Sequence, residues 1–148
     1  MRYSTKETLS ISTEFLNKHH CFEENSHYAN FESTRIINGQ KVKSTVPFGV
    51  VMEKENESIY FQDVKVNEEP VASIRLFCMV SLVSTPCQFG GRRWWFLCPQ
   101  ITNGKTCNKR VGILYLPDIK GKTFGCRHCH KLRYISSKRS NETISTYD

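Results

Sequence analysis

Four cysteines constrain this chain more than any other feature. Cys126 and Cys129 stand two residues apart in "GCRHCH". That spacing lets a tight turn aim two thiolates at one ion while backbone N–H groups stabilise the sulfur charge. Cys98 and Cys107 form a looser pair, separated by the eight residues "PQITNGKT". Asn103-Gly104 can fold that insert back on itself, so the two thiols converge. The 18 residues between the pairs fit one hairpin, with Val111 to Leu116 as one arm, "PDIKG" as the turn and Lys122 to Gly125 as the other. Two cysteine-bearing knuckles joined by a hairpin predict a zinc ribbon, with Cys98, Cys107, Cys126 and Cys129 as ligands. Four soft thiolates favour Zn2+ in a reducing compartment, with iron as the minor alternative. Cys87, His128 and His130 are substitutes within reach in the sequence. Of the two histidines, His130 is preferred because it follows the knuckle directly.

The alternative use of Cys126 and Cys129 as a redox pair needs a βαβ setting, and none is legible here. No apolar run approaches 18 residues, and the first 15 residues hold no apolar signal core. The expectation is therefore a cytoplasmic chain without a membrane span, in which seven cysteines are ligands or buried thiols rather than disulfides.

Charge divides the chain. Residues 85–140 hold 12 Lys/Arg against the single acid Asp118, a balance of +11, whereas residues 1–84 and 141–148 each balance at −2. The expected division follows: a helix and antiparallel meander over 1–84, a zinc-ribbon-like module over 85–140, and a flexible tail over 141–148. The fold class is α+β, mainly β. Ser12 is expected to cap a helix over 13–20, with Ile11, Phe15, Leu16 and Phe22 on one face. Asn38-Gly39 marks a two-residue hairpin. Val46, Phe48, Val50 and Met52 alternate as a strand, and Ile59 to Phe61 begin another. Ser73 to Ser84 alternates on both faces and predicts a central strand covered on both sides. Cys21 and Cys78 read as small buried hydrophobes, and His19, His20 and His27 as surface residues.

"CQFGGRRWWFLCP", Cys87 to Pro99, leads into the first knuckle. Arg92, Trp94 and Phe96 alternate with Arg93, Trp95 and Leu97. One tryptophan is expected inside, between ribbon and meander, and the other partly exposed beside an arginine. A flat ring among guanidinium groups can stack on a base or hold a phosphate. Arg92, Arg93, Trp94, Lys109 and Arg110 are the first candidates for a nucleic-acid contact. Lys131, Arg133, Lys138 and Arg139 form a second set, and Tyr115 and Tyr134 could extend the face. The plain alternative is a charged surface that keeps a small domain in solution.

"TPCQFGGRRWWFLCP", "RVGILYL" and "FGCRHCHKLRYIS" together resemble an uncharacterised family of small bacterial and phage proteins. Its pattern is T-P-C-x-[FY]-G-G-x-R-x-W-F-x-C-P, then C-G-R-R-V, then L-Y and F-x-C-R-x-C-x-x-L-x-Y. The similarity spans about Thr85 to Ser137. It implies a fold and a metal held by the same four cysteines, and it implies no reaction. Two departures stand out: the link between the first two cysteines is longer here, and "CNKR" replaces C-G-R-R, which puts Asn108 where glycine is expected.

Three functions compete. A nucleic-acid-binding zinc ribbon draws on the charge asymmetry and the interleaved aromatics. A protein-interaction module of a phage or mobile-element system would use the same fold with an exposed apolar surface or strand edge. A metal-dependent enzyme is disfavoured, because four cysteines close the coordination shell and the basic half holds only one acid.

Overall fold

Alternation of apolar and polar residues runs through most of the chain, and the protein is mainly β. The computed structural model describes residues 8–23, 27–67, 72–74, 77–117, 123–133 and 142–146. Among these, the elements are β1 (Leu9–Ser12), α1 (Thr13–Lys18), β2 (His27–Ile37), β3 (Gln40–Val51), β4 (Ser58–Phe61), β5 (Val64–Asn67) and β6 (Ala72–Ile74). The second half adds β7 (Cys78–Pro86), β8 (Arg92–Leu97), β9 (Ile101–Thr102), β10 (Lys105–Thr106), β11 (Arg110–Val111), β12 (Ile113–Leu116) and β13 (Glu142–Thr146).

Nine strands form one antiparallel sheet in the order β11-β8-β7-β4-β3-β2-β13, with β5 and β6 continuing beside β3. Asn38 and Gly39 both take positive φ, 51° and 78°, and close the β2–β3 hairpin as the dipeptide demands. The strand expected from Ile59 onward is divided. Phe48 faces Phe61, but Thr45 faces Lys65, so β4 and β5 gain one residue on β3 between them. That extra residue is a bulge at Gln62–Asp63, where the Gln62 N–H bonds the Pro47 carbonyl at 2.9 Å.

Ser12 caps α1 as expected, its Oγ accepting from the Phe15 N–H at 3.1 Å. The helix is shorter than expected and ends at Lys18, with His20 in the left-handed region. Ile11 is not on it. It lies in β1, which pairs antiparallel with β12 so that Leu9 faces Leu116 and Ile11 faces Leu114. Reading Ile11 onto the helix face missed this strand, because a four-residue alternation is too short to compete with the cap signal.

Val46, Phe48 and Val50 are fully buried, as their period requires. Cys78, Val80 and Leu82 on β7 are also buried. The opposite face of β7 is not covered, contrary to expectation: Phe77 is 66% and Met79 56% exposed. The alternation of Ser73 to Ser84 would put Ile74 and Leu76 on the same face as Cys78, but their side chains lie outside those described. Glu142–Thr146, read from sequence within a flexible tail, pairs with β2 from Ser33 to Ala29.

One hydrophobic cluster joins both halves of the chain. It contains Phe31, Phe48 and Phe61 from the meander and Phe96, Leu114, Leu116 and Phe124 from the cysteine-rich half. The Phe61 and Phe124 rings lie 4.3 Å apart between centroids. β7 itself runs across position 84, and β8 is hydrogen-bonded to it from Pro86↔Arg92 to Leu82↔Phe96. The cysteine-rich half is thus built onto the edge of the sheet.

Candidate metal centre

The sheet delivers the first cysteine. β8 ends at Leu97, and Cys98 follows, fully buried. Its N–H bonds the Lys109 carbonyl at 3.0 Å, and its own carbonyl takes the Asn108 N–H at 3.0 Å. Between these residues the insert folds as a small hairpin, β9 with β10, turned by Asn103 and Gly104 at φ 53° and 77°. The Cys107 N–H bonds the Gln100 carbonyl at 2.7 Å and brings Cys107 back beside Cys98. The longer link is therefore a hairpin inserted into the knuckle, and the thiols converge despite it. Asn108 sits at φ 52°. Asparagine tolerates this left-handed conformation better than other side chains, which accounts physically for Asn where glycine is the simplest choice.

The second knuckle is a tight turn. The Cys129 N–H points to Cys126 Sγ at 3.4 Å, and the Cys126 N–H to Cys98 Sγ at 3.2 Å. His130, Lys131 and Leu132 N–H groups close the turn onto the Cys126, His128 and Arg127 carbonyls. The four sulfurs of Cys98, Cys107, Cys126 and Cys129 lie within 4.8 Å of one another. Cys98 to Cys129 is 3.8 Å and Cys107 to Cys126 is 4.0 Å. A disulfide needs about 2.05 Å, so these are free thiols. A tetrahedron with metal–sulfur bonds of about 2.3 Å has edges of about 3.8 Å. The set has the size to hold a metal ion.

The electrostatics of the bare thiols agree with that chemistry. Burial pushes the Cys98 thiol up to about 11. Burial, followed by the neighbouring Cys126 and Cys107 thiols, also raises Cys129. Cys126 goes the other way. Burial opposes its ionisation, but the Cys129 N–H and the Cys129, Cys98 and Cys107 thiols donate to its sulfur and lower its pKa. A cation is what allows the remaining thiols to ionise together.

Three residues that sequence reasoning missed tie the knuckles to each other. The Gln100 side-chain amide donates to Thr123 Oγ1 at 2.7 Å and to the Thr123 and Phe124 carbonyls at 3.0 and 3.2 Å. Gly125 lies beneath it, and a Cβ there would collide with the Gln100 side chain and with His130 Nε2. No spacing rule marks Gln100 or Thr123; a glycine next to a cysteine was the only signal. The alternative ligands are elsewhere. His130 Nε2 is 2.8 Å from the Thr123 carbonyl, and His128 and Cys87 are exposed. Cys87 occupies the Gly90-Gly91 turn before β8.

The expected ribbon hairpin takes a different form. β11 pairs with β8, and β12 pairs with β1. Between the two expected arms the described residues form a single bridge, Tyr115 to Gly125. Residues 118–122, including Asp118, lie outside those described. The N-terminal strand β1 flanks β12 on its other edge, Tyr115 facing both Ser10 and Gly125, and beyond it the Thr13 N–H bonds the Gly112 carbonyl at 2.9 Å.

The candidate basic residues fall on different surfaces. Trp94 faces the core side, its ring 5.3 Å from that of Phe22. Arg92 is on that side too, held to Ser84 Oγ at 2.6 Å at the rim of a cleft of about 350 Å³ lined also by Phe22, Met52 and Glu57. Trp95 lies on the opposite face, half-buried, with its Nε1–H on Thr85 Oγ1 at 3.0 Å. The Arg93 and Arg110 guanidinium carbons are 4.2 and 5.2 Å from its ring centre. Lys109, Lys131 and Arg133 are exposed around the knuckles. Tyr115, which was expected to extend the face, is buried. Tyr134, Lys138 and Arg139 lie outside the described residues.

No helix among the described residues is long and apolar enough to cross a membrane. The chain finds no match among protein-family models, curated proteins or solved structures.

Proposed function

We propose that the chain is a nucleic-acid-binding zinc protein whose metal is structural. The zinc assignment rests on the donor set: four thiolates at tetrahedral spacing suit zinc above harder cations. A closed shell of four sulfurs leaves no position for water or substrate, so the ion would fold the knuckles and do no chemistry. The two knuckles and the similarity of Thr85 to Ser137 to the uncharacterised bacterial and phage family both favour a modified zinc ribbon, with β1 added along the outer edge of β12.

The observation that carries nucleic-acid binding is Trp95, half-buried with the exposed Arg93 and Arg110 guanidinium groups over its ring, on a strand that ends at the metal centre. Guanidinium groups neutralise phosphates, and an indole ring offers a surface for a base. Labelled oligonucleotides in fluorescence anisotropy, across a salt series with zinc-loaded protein, test the reading. Micromolar or tighter affinity at low salt should fall as salt rises. Changing Arg93 and Arg110 together to Ala should make the slope of log affinity against log salt shallower by about 0.7–0.9 for each phosphate they neutralise. Absence of binding at low salt refutes the proposal.

A protein-interaction role is the second reading. Phe89, 96% exposed at the tip of the turn before β8, is the observation that favours it. Binding to a protein partner that survives moderate salt and is abolished in Phe89→Ser would support it.

A further inference from the structure

The outer face of the sheet carries more than the arginines around Trp95. Trp95 on β8 stands opposite Val83 on β7, and four residues along β7 Met79 stands opposite Tyr60 on β4. Tyr60 faces Gly49 on β3, and Gly49 faces Tyr28 on β2. All of these positions alternate with core residues, so their side chains share one face. Phe77 lies beside Tyr60 with its ring nearly parallel, centroids 6.2 Å apart and planes 25° apart. Phe77 and Met79 are largely exposed, and Tyr28 is 40% exposed. The Tyr60 ring covers Gly49, where a Cβ would collide with it, so the ring is held down on the sheet.

Among the described residues this face is an aromatic platform with positive charge at both ends. Arg93 and Arg110 flank Trp95 at one end. Lys65 is exposed on β5, beyond the Tyr60–Phe77 stack, at the other. Two strand spacings of about 4.8 Å and four residues of about 3.4 Å put Trp95 and Tyr60 about 17 Å apart. That is the span of a short stretch of extended nucleic-acid strand, not of one small ligand. A duplex keeps its base faces stacked inside and offers phosphates to such a surface. A single strand offers phosphates and bases together, which is what a row of rings between cations can use.

We infer that the outer face of the sheet is a binding track for single-stranded nucleic acid, with one base stacking on Trp95 and others on the Phe77–Tyr60–Met79 cluster. The inference rests on the nucleic-acid reading above and narrows it to a substrate class and a path. It separates two surfaces of the same strand: Trp95 and Arg93 belong to the track, whereas Trp94 and Arg92 do not.

The test compares the full zinc-loaded chain binding labelled single strands with its binding of duplexes of the same sequence. Phe77→Ala and Met79→Ala are the informative variants, because neither side chain contributes to the core. Single strands should bind more tightly than duplex. Phe77→Ala should weaken single-strand affinity by about 5- to 150-fold, the range for loss of one stacked base, without changing zinc content or duplex affinity. Equal affinity for duplex and single strands, unaffected by Phe77→Ala and Met79→Ala but abolished when Arg93 and Arg110 are changed, overturns the track and leaves general nucleic-acid binding standing. No binding of either form at low salt overturns both. Concentration-dependent dimerisation that Phe77→Ala abolishes, with oligonucleotide affinity unchanged, assigns the face to a second copy of the chain and overturns the track.

Discussion

Removing the metal should disorder two short segments and leave the sheet intact. The knuckles span roughly residues 99–109 and 123–133, and ordering them costs backbone entropy. Against that cost the segments bury few large side chains, Phe124 and Leu132, and the Gln100 clamp adds a few hydrogen bonds. A structural zinc, which contributes on the order of 10 kcal/mol, is the strongest link between the two segments. β8 and β12 differ from the knuckles, because β7 and β1 hold them and Phe96, Leu114 and Leu116 lie in the common core. Hydrogen exchange on zinc-loaded protein, with and without chelator, reads this directly. The amides of Cys98, Cys107, Asn108, His130 and Leu132 should lose protection on chelation. Those of Val46, Val50, Val80 and Leu82 should keep it. Retained protection at the knuckles after proven loss of metal would refute the reasoning. Equal loss across the sheet would show that the two parts fold as one unit through Phe61 and Phe124.

Three further outcomes are expected. Mass spectrometry should find one zinc per chain, absent or strongly reduced in Cys98→Ser, Cys107→Ser, Cys126→Ser and Cys129→Ser, and unchanged in Cys87→Ser. Asn108→Val should destabilise by about 1–2 kcal/mol, the cost of a left-handed backbone at a side chain that resists it, whereas Asn108→Gly should be neutral within a few tenths; thermal melts of the zinc-loaded forms decide. Zinc binding should depend on pH: burial holds the Cys98 thiol up at about 11 and raises Cys129, and both must lose their protons to bind the ion, so zinc affinity should weaken as pH falls. Competition with a chelator at several pH values measures it, and an affinity that does not change with pH would refute it.

Local chemistry made part of this protein legible in its sequence. Cysteine spacing named the four residues that the structure brings together, because a C-x-x-C turn is self-contained. Asn38-Gly39 and Asn103-Gly104 announced their turns for the same reason, since two residues at positive φ suffice. The period of Val46 to Val50 and the alternation of the two tryptophans across β8 followed from the pleat alone. The fate of Leu9 and Ile11 was decided elsewhere. They form a strand because β12 offers an open edge more than a hundred residues away. The exposure of Phe77 and Met79 was equally invisible, since alternation says that two faces differ but not whether a second layer covers either. The clamp of Gln100 over Gly125 requires two knuckles already brought together by the sheet. Spacing fixed which atoms can meet one ion. Long-range strand pairing, which no local signal encodes, decided what supports them and which face of the sheet remains open.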